Sequence, residues 1–149
     1  MEVQRAFLEF TDFDNMDSET FNSLASTELI KDSVTMNTTA FYEWVEDEDK
    51  VTGEKTTAEK GKGNVTEIGL LDYLRKHAGK EAIDTFFGRR KELLDDSRFG
   101  IKVPLNSERK RATIAFEKAG GEEMRIYCKG APEMVLKFCT HYIGPNGHT

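Results

Sequence analysis

Apolar positions recur along this chain with two different periods. Val3, Phe7, Leu8 and Phe10 occupy the stretch Glu2–Phe10, whose imperfect alternation predicts a strand. The polar run TDFDNMDSE that follows predicts a turn. Phe21, Leu24, Leu29, Ile30 and Val34 return at roughly helical spacing and predict one helix from Glu19 to about Thr35. The aromatics of TAFYEWVED predict a second strand. Residues 46–63 are charged and rich in Gly and Thr, with Val51 as their single large apolar side chain, so a mobile loop or edge turn is expected there.

Asn64 is a good N-cap and Glu67 stands three residues on, the spacing of a capping box, so a helix is expected from Asn64 with Leu70, Leu71 and Leu74 as its buried stripe. A further helix, about Glu81–Leu94, should follow Gly79. Three short alternating runs come next: Phe99, Ile101, Val103 and Leu105; Ala112, Ile114 and Phe116; Met124, Ile126 and Cys128. KAGGEE between the last two predicts a hairpin turn, because paired glycines accept positive φ. Pro132 suits the first turn of a closing helix over 132–139. Hairpin-linked strands with helices beside them define an α+β domain with a largely antiparallel sheet flanked by helices.

The chain has 149 residues, 38% hydrophobic and 32% charged, which is enough for one domain with a core. Its net charge of -6 argues against nucleic acid as a partner, since a phosphate backbone needs a basic face. No apolar run approaches the length that spans a bilayer, and the N-terminus lacks the layout of a signal peptide. Cys128 and Cys139 form no CxxC pattern and fit reduced, buried thiols. His77, His141 and His148 have no metal-ligand spacing, and EKGKGN lacks the residues of a phosphate loop. No metal ligand and no catalytic residue is expected.

Three clusters carry chemistry. In YCKGAPEMVLKF, Lys129 and Gly130 stand where a strand should meet a helix; bare backbone beside a cation, backed by free helix N–H groups, suits an anion or a polarisable ring. A surface lysine beside a cap explains the same residues. KVPLNSERKRATIAF places Arg109, Lys110 and Arg111 on a bend of an acidic chain, either an anion contact or a solvated turn. GNVTEIGLL puts Thr66 and Glu67 at a helix start, where capping is the plain role of Glu67.

Together, in the order GNVTEIGLL, LNSERK and KGAPE, these motifs resemble the nucleotide-binding domain of P-type cation-transporting ATPases, over about residues 1–143. KGAPE is the most specific of the three. GNVTEIGLLDYL and LNSERK are closest in kind to the plasma-membrane calcium pumps, and the sodium/potassium pump branch shares a similar stretch. The resemblance implies an ATP site. Lys129 would line the adenine pocket, Gly130 its wall and Thr66 the same side; Glu67 would accept a hydrogen bond from the adenine amino group, and Lys110 would reach the phosphates or help set the local positive potential, with magnesium arriving on the ATP. At the position where the family stacks a phenylalanine on adenine this chain has Leu105, which offers apolar contact without an aromatic face. Leu105 also shares the phase of Ile101 and Val103, which would make it core.

The family's phosphorylated aspartate lies in a D-K-T-G-T segment, which does not occur here. The resemblance therefore implies one nucleotide-binding domain over 1–149, excised from a larger membrane pump and truncated on its C-terminal side. Alone it would bind ATP without hydrolysing it, as a monomer. Its expected partners are ATP and the phosphorylation and actuator domains of the same pump, with no direct membrane contact, as a cytoplasmic part of an integral membrane protein. The rival reading from another class is a noncatalytic protein-interaction domain that docks through its basic bend and acidic loop.

Overall fold

The structure, a computed structural model, describes residues 2–48, 53, 55–95, 100–117 and 123–147. The expected hairpin turn KAGGEE, apart from Glu123, lies outside the described residues, as do Phe99 and His148. Helices and antiparallel strand pairs alternate in an α+β arrangement, and among the described residues the strands form three separate antiparallel units.

The first unit departs from the sequence expectation. Two strands, β1 (Arg5–Leu8) and β2 (Thr11–Asp14), pair as a hairpin where one strand and a polar turn are predicted. Glu9 and Phe10 make the turn at φ 49° and 63°, a conformation for which the sequence carries no glycine signal. The Glu9 carboxylate compensates by accepting from the backbone N–H and the hydroxyl of Ser26, both at 2.8 Å. Arg5 pairs with Asp12 across the strands.

The same contact divides the single helix expected over 19–35. It is two helices, α1 (Ser18–Ser23) and α2 (Thr27–Met36). Asp17 caps α1 through Thr20 N–H, while Leu24 takes an extended backbone that ends it. Phe21, fully buried, forms a core cluster with Met16, Leu74 and Ile83.

The mobile loop or edge turn expected over 46–63 is replaced by strand at 46–48 and 55–62, while 49–52 and 54 lie outside the described residues. Within it, Lys55–Lys62 form β4, paired antiparallel in register with β3 (Phe41–Glu48) from Phe41 opposite Lys62 to Glu48 opposite Lys55. A polar segment can still pair as a strand, and here Lys62 and Glu59 are matched by opposite charges. Lys62 pairs with Glu43 at 3.1 Å, and Glu59 receives Arg75 at 3.0 Å and Lys80 at 2.9 Å. The Arg75 guanidinium also lies 3.3 Å from the centre of the Tyr42 ring.

Two helices follow much as expected: α3 (Val65–Ala78) and α4 (Lys80–Asp95). The third unit is a sheet of β5 (Gly100–Asn106), β6 (Arg111–Glu117) and β7 (Met124–Gly130), all antiparallel, with β6 in the middle. Ala112, Ile114 and Phe116 of β6 are buried alternately. Ile114 and Phe116 join Met36 and Tyr127 in a second core cluster beneath α2. Asn37, nearly fully buried after α2, ties that helix to the sheet by donating to the carbonyls of Ala112 and Tyr127 at 3.1 and 3.2 Å. The closing helix is shorter than predicted. It is one turn, α5 (Pro132–Val135), running into a 3₁₀ turn at Leu136–Phe138.

Candidate functional site

The site is assembled around the start of α3. Asn64 Oδ1 accepts from the N–H groups of Thr66 at 2.9 Å and Glu67 at 3.3 Å, which fixes the first turn. Just before it, Gly63 at φ 116° brings the chain within 3.0 Å, measured from a would-be Cβ, of the Ala40 backbone. The first turn of α3 therefore sits against the bend Thr38–Thr39–Ala40. The Glu67 side chain reaches into that bend instead of capping its own helix. Its Oε2 accepts from Thr39 Oγ1 at 2.7 Å, Thr39 N–H at 2.8 Å, and Thr38 Oγ1 and Ala40 N–H at 3.1 Å each.

Its other oxygen turns to the sheet. Lys129 stands opposite Ala112 in the β6–β7 register, and its Nζ donates to Glu67 Oε1 at 2.5 Å. Burial opposes ionisation of this carboxyl, but the Lys129 ammonium and the Thr39 N–H and hydroxyl outweigh it and hold the pKa down at about 2. Glu67 is thus a fixed anion joining α3, the 38–40 bend and β7.

Beside this pair opens a cavity of about 560 Å³. Thr66, Glu67, Leu105, Lys110, Lys129 and Gly130 all line it. The β5–β6 register slips between Val103 and Asn106, around Pro104, which has no N–H to give the ladder. Leu105 is 64% exposed and borders the cavity, and Ile101, before the slip, is 60% exposed as well. The core placement that the phase of Leu105 suggested is thereby corrected.

The β5–β6 turn is held by Asn106, whose Oδ1 accepts from the N–H groups of Glu108 and Arg109 at 2.8 and 2.9 Å. Lys110 closes it at φ 50°, and its carbonyl accepts from Ala131 N–H at 3.0 Å. That contact explains Gly130. A Cβ there would lie 2.3 Å from the Lys110 carbonyl oxygen and 2.7 Å from Arg111 Cα. The glycine is required by the close approach of β6, and the cavity wall it forms is a consequence.

The basic bend separates by role. Arg109 donates to the Pro104 carbonyl at 2.8 Å, and the Arg111 guanidinium lies 4.6 Å from the centre of the Phe138 ring. Of the three cations, Lys110 alone borders the cavity. The single turn of α5 also supplies far less dipole than a long helix would at the Lys129–Gly130 join.

Further lining residues were not singled out from the sequence. Leu70, Ala112 and Ala131 are apolar; Asn64, Asn106 and Ser107 are polar. Asn64 carried a legible signal as a cap; in Asn64 and Asn106 alike the side-chain carbonyl oxygen accepts from backbone N–H groups, leaving the amide nitrogen as the other polar end. Arg90 of α4 and Lys102 of β5 add positive charge nearby. Burial lowers the pKa of each, and the field of Glu67 opposes that shift in both. Among the described residues, no group of three or more His, Cys, Asp and Glu side chains is arranged to hold a metal ion. No helix among them is long and apolar enough to cross a membrane.

This geometry coincides with a family. The model of the P-type ATPase, cytoplasmic domain N, matches residues 25–149, and the chain belongs to that family. Among its relatives are calcium pumps. A plasma membrane calcium-transporting ATPase of Caenorhabditis elegans, mca-1, is 32% identical over 87 residues, covering 57% of this chain and 6% of that protein. A putative calcium-transporting ATPase 11, plasma membrane-type, of Arabidopsis thaliana is 39% identical over 46 residues, covering 31% of this chain and 4% of that protein. The chain thus matches a small fraction of the length of these relatives.

Proposed function

We propose that this chain binds ATP in the cavity between α3, the 105–110 turn and the end of β7, and positions it for transfer of its terminal phosphate to an aspartate on another domain of a cation pump. The observation that carries the reading is convergence. Six residues from three separated motifs, Thr66, Glu67, Leu105, Lys110, Lys129 and Gly130, border one cavity whose volume suits a nucleotide-sized ligand.

The chemistry fits. Leu70, Leu105, Ala112 and Ala131 offer apolar surface to a flat base, and Lys110 and Lys129 offer charge to phosphate. Magnesium would arrive on the phosphates. The contribution of this chain is binding and orientation, which account for most of what a protein supplies in phosphoryl transfer. The names of the relatives point to calcium as the transported ion. In this reading the domain works on the cytoplasmic side of the membrane, beside the phosphorylation and actuator domains of the same protein.

The test is titration of the ¹⁵N-labelled chain with ATP, with and without magnesium. Amide shifts grouped at Glu67, Leu105, Lys110, Lys129 and Gly130 are expected. Their absence at millimolar ATP overturns the reading in favour of a protein-interaction domain.

A further inference from the structure

Both oxygens of Asn106 are engaged within the β5–β6 turn. The side-chain Oδ1 accepts from the N–H groups of Glu108 and Arg109 at 2.8 and 2.9 Å, and the main-chain carbonyl accepts from Lys110 N–H at 2.7 Å. Two N–H groups facing one atom of the side-chain amide require that atom to be oxygen, since nitrogen there would set donor against donor. The NH2 edge is therefore fixed on the other branch of the amide. Among the described residues nothing accepts from it, and Asn106 lines the cavity.

Making the turn does not by itself require this residue. An aspartate forms the same kind of turn through its carboxylate. What asparagine adds is an uncharged donor. The difference matters because the side chains that line the cavity carry little charge: Lys110 and Lys129 are cations, and Glu67, ion-paired to Lys129, cancels one of them. One net positive charge then faces phosphates that carry several negative ones. Uncharged donors have to supply part of the grip, and a carboxylate at position 106 would repel what the asparagine binds.

We infer that Asn106 is a phosphate-binding residue, its Nδ2 donating to a phosphate oxygen beside the Lys110 ammonium. This rests on the nucleotide reading above and adds a contact to it. The two side chains leave opposite ends of one turn, which the hydrogen bond from Lys110 N–H closes, so they reach neighbouring oxygens of one phosphate chain. Glu67 and Lys129 belong to α3 and β7 and are left to the base.

The experiment follows the Asn106 side-chain NH2 signals of the ¹⁵N-labelled chain during titration with ATP and, separately, with adenosine. ATP is expected to move them together with the Glu67 and Lys129 amides. Adenosine, added to its solubility limit, is expected to leave them in place. Movement of the Glu67 and Lys129 amides beside stationary Asn106 signals overturns the inference and leaves nucleotide binding intact. An equal movement with adenosine puts Asn106 on the base or ribose and overturns it as well. An ATP titration that moves none of these signals removes the nucleotide reading, and this inference with it.

Asn106→Asp supplies a second measurement. It keeps an acceptor for Glu108 and Arg109, so the melting temperature should hold, while ATP affinity should fall about tenfold or more. The loss should persist at about 1 M salt, where the Debye length is near 3 Å and the added charge is screened. A loss that vanishes there is charge repulsion alone and overturns the donor role. The NH2 signals of the unmutated chain decide the matter even if Asn106→Asp fails to fold.

Discussion

Lys129 Nζ on β7 lies 2.5 Å from Glu67 Oε1 on α3, across 62 residues of chain. The pair joins a helix start to a strand end at the rim of the cavity. Its energetics make stability depend on acid. The Glu67 carboxyl is held at about 2, below its ordinary value of 4.5. The unfolded chain therefore binds the proton more readily, and the stability that this ionised group contributes is fully present above about pH 4.5 and is lost as pH falls toward 2. Denaturant midpoints recorded from pH 6 to 2 should fall in that window, and Glu67→Gln should flatten this part of the curve.

Leu105 is exposed at the cavity edge, so an aromatic ring placed there has room to meet a base. Base–aromatic stacking is worth roughly 1–3 kcal/mol per base, and Leu105→Phe should tighten ATP binding by about tenfold. Calorimetric titration of the two proteins checks this. Unchanged affinity would place the base elsewhere in the cavity.

Lys129→Ala should weaken ATP binding by roughly tenfold, the loss of a hydrogen bond to a charged group. The domain should stay folded, because Glu67 Oε2 keeps its donors on the 38–40 bend. Circular dichroism beside the titration separates the two effects. Loss of the folded signal would give Lys129 a structural role.

Gly130→Ala should be costly. The added methyl meets the Lys110 carbonyl and the Arg111 backbone, neither of which can turn aside as a flexible side chain would. Overpacking of this kind costs about 1–3 kcal/mol. A lowered melting temperature, with amide shifts centred on the β6–β7 pair, is the expected result.

Asn37→Ala should remove the bridge between α2 and the sheet and leave the carbonyls of Ala112 and Tyr127 without its amide. Unsatisfied buried polar groups cost about 1–3 kcal/mol each. Chemical denaturation should report a loss of that order, with Asn37→Asp no better, since a carboxylate cannot donate.

Local rules were strong where one segment decides its own form. The Asn64 cap, the alternation of Ala112, Ile114 and Phe116, and Pro132 at a helix start all read correctly from the residues alone. The three motifs named the family, and the six residues singled out from them are among those that line the cavity. Other features depend on partners distant in the chain. Glu9 and Phe10 turn without glycine because Ser26 receives the Glu9 carboxylate. Residues 55–62 pair as a strand with β3, and Arg75 and Lys80 both meet Glu59 within it. The register slip between Val103 and Asn106, beside Leu105, is one that no periodicity reveals.

By itself, then, the sequence determined the chemistry available: which cations, carboxylate and apolar side chains exist, and which short segments carry them. Tertiary structure decided how they are used. The orientation of Glu67 toward Thr38, Thr39 and Lys129, and not toward its own helix cap, follows from donors on two other segments. A hydrogen bond is local in space but not along the chain, so the packing that brings those donors together sets the role of this carboxylate.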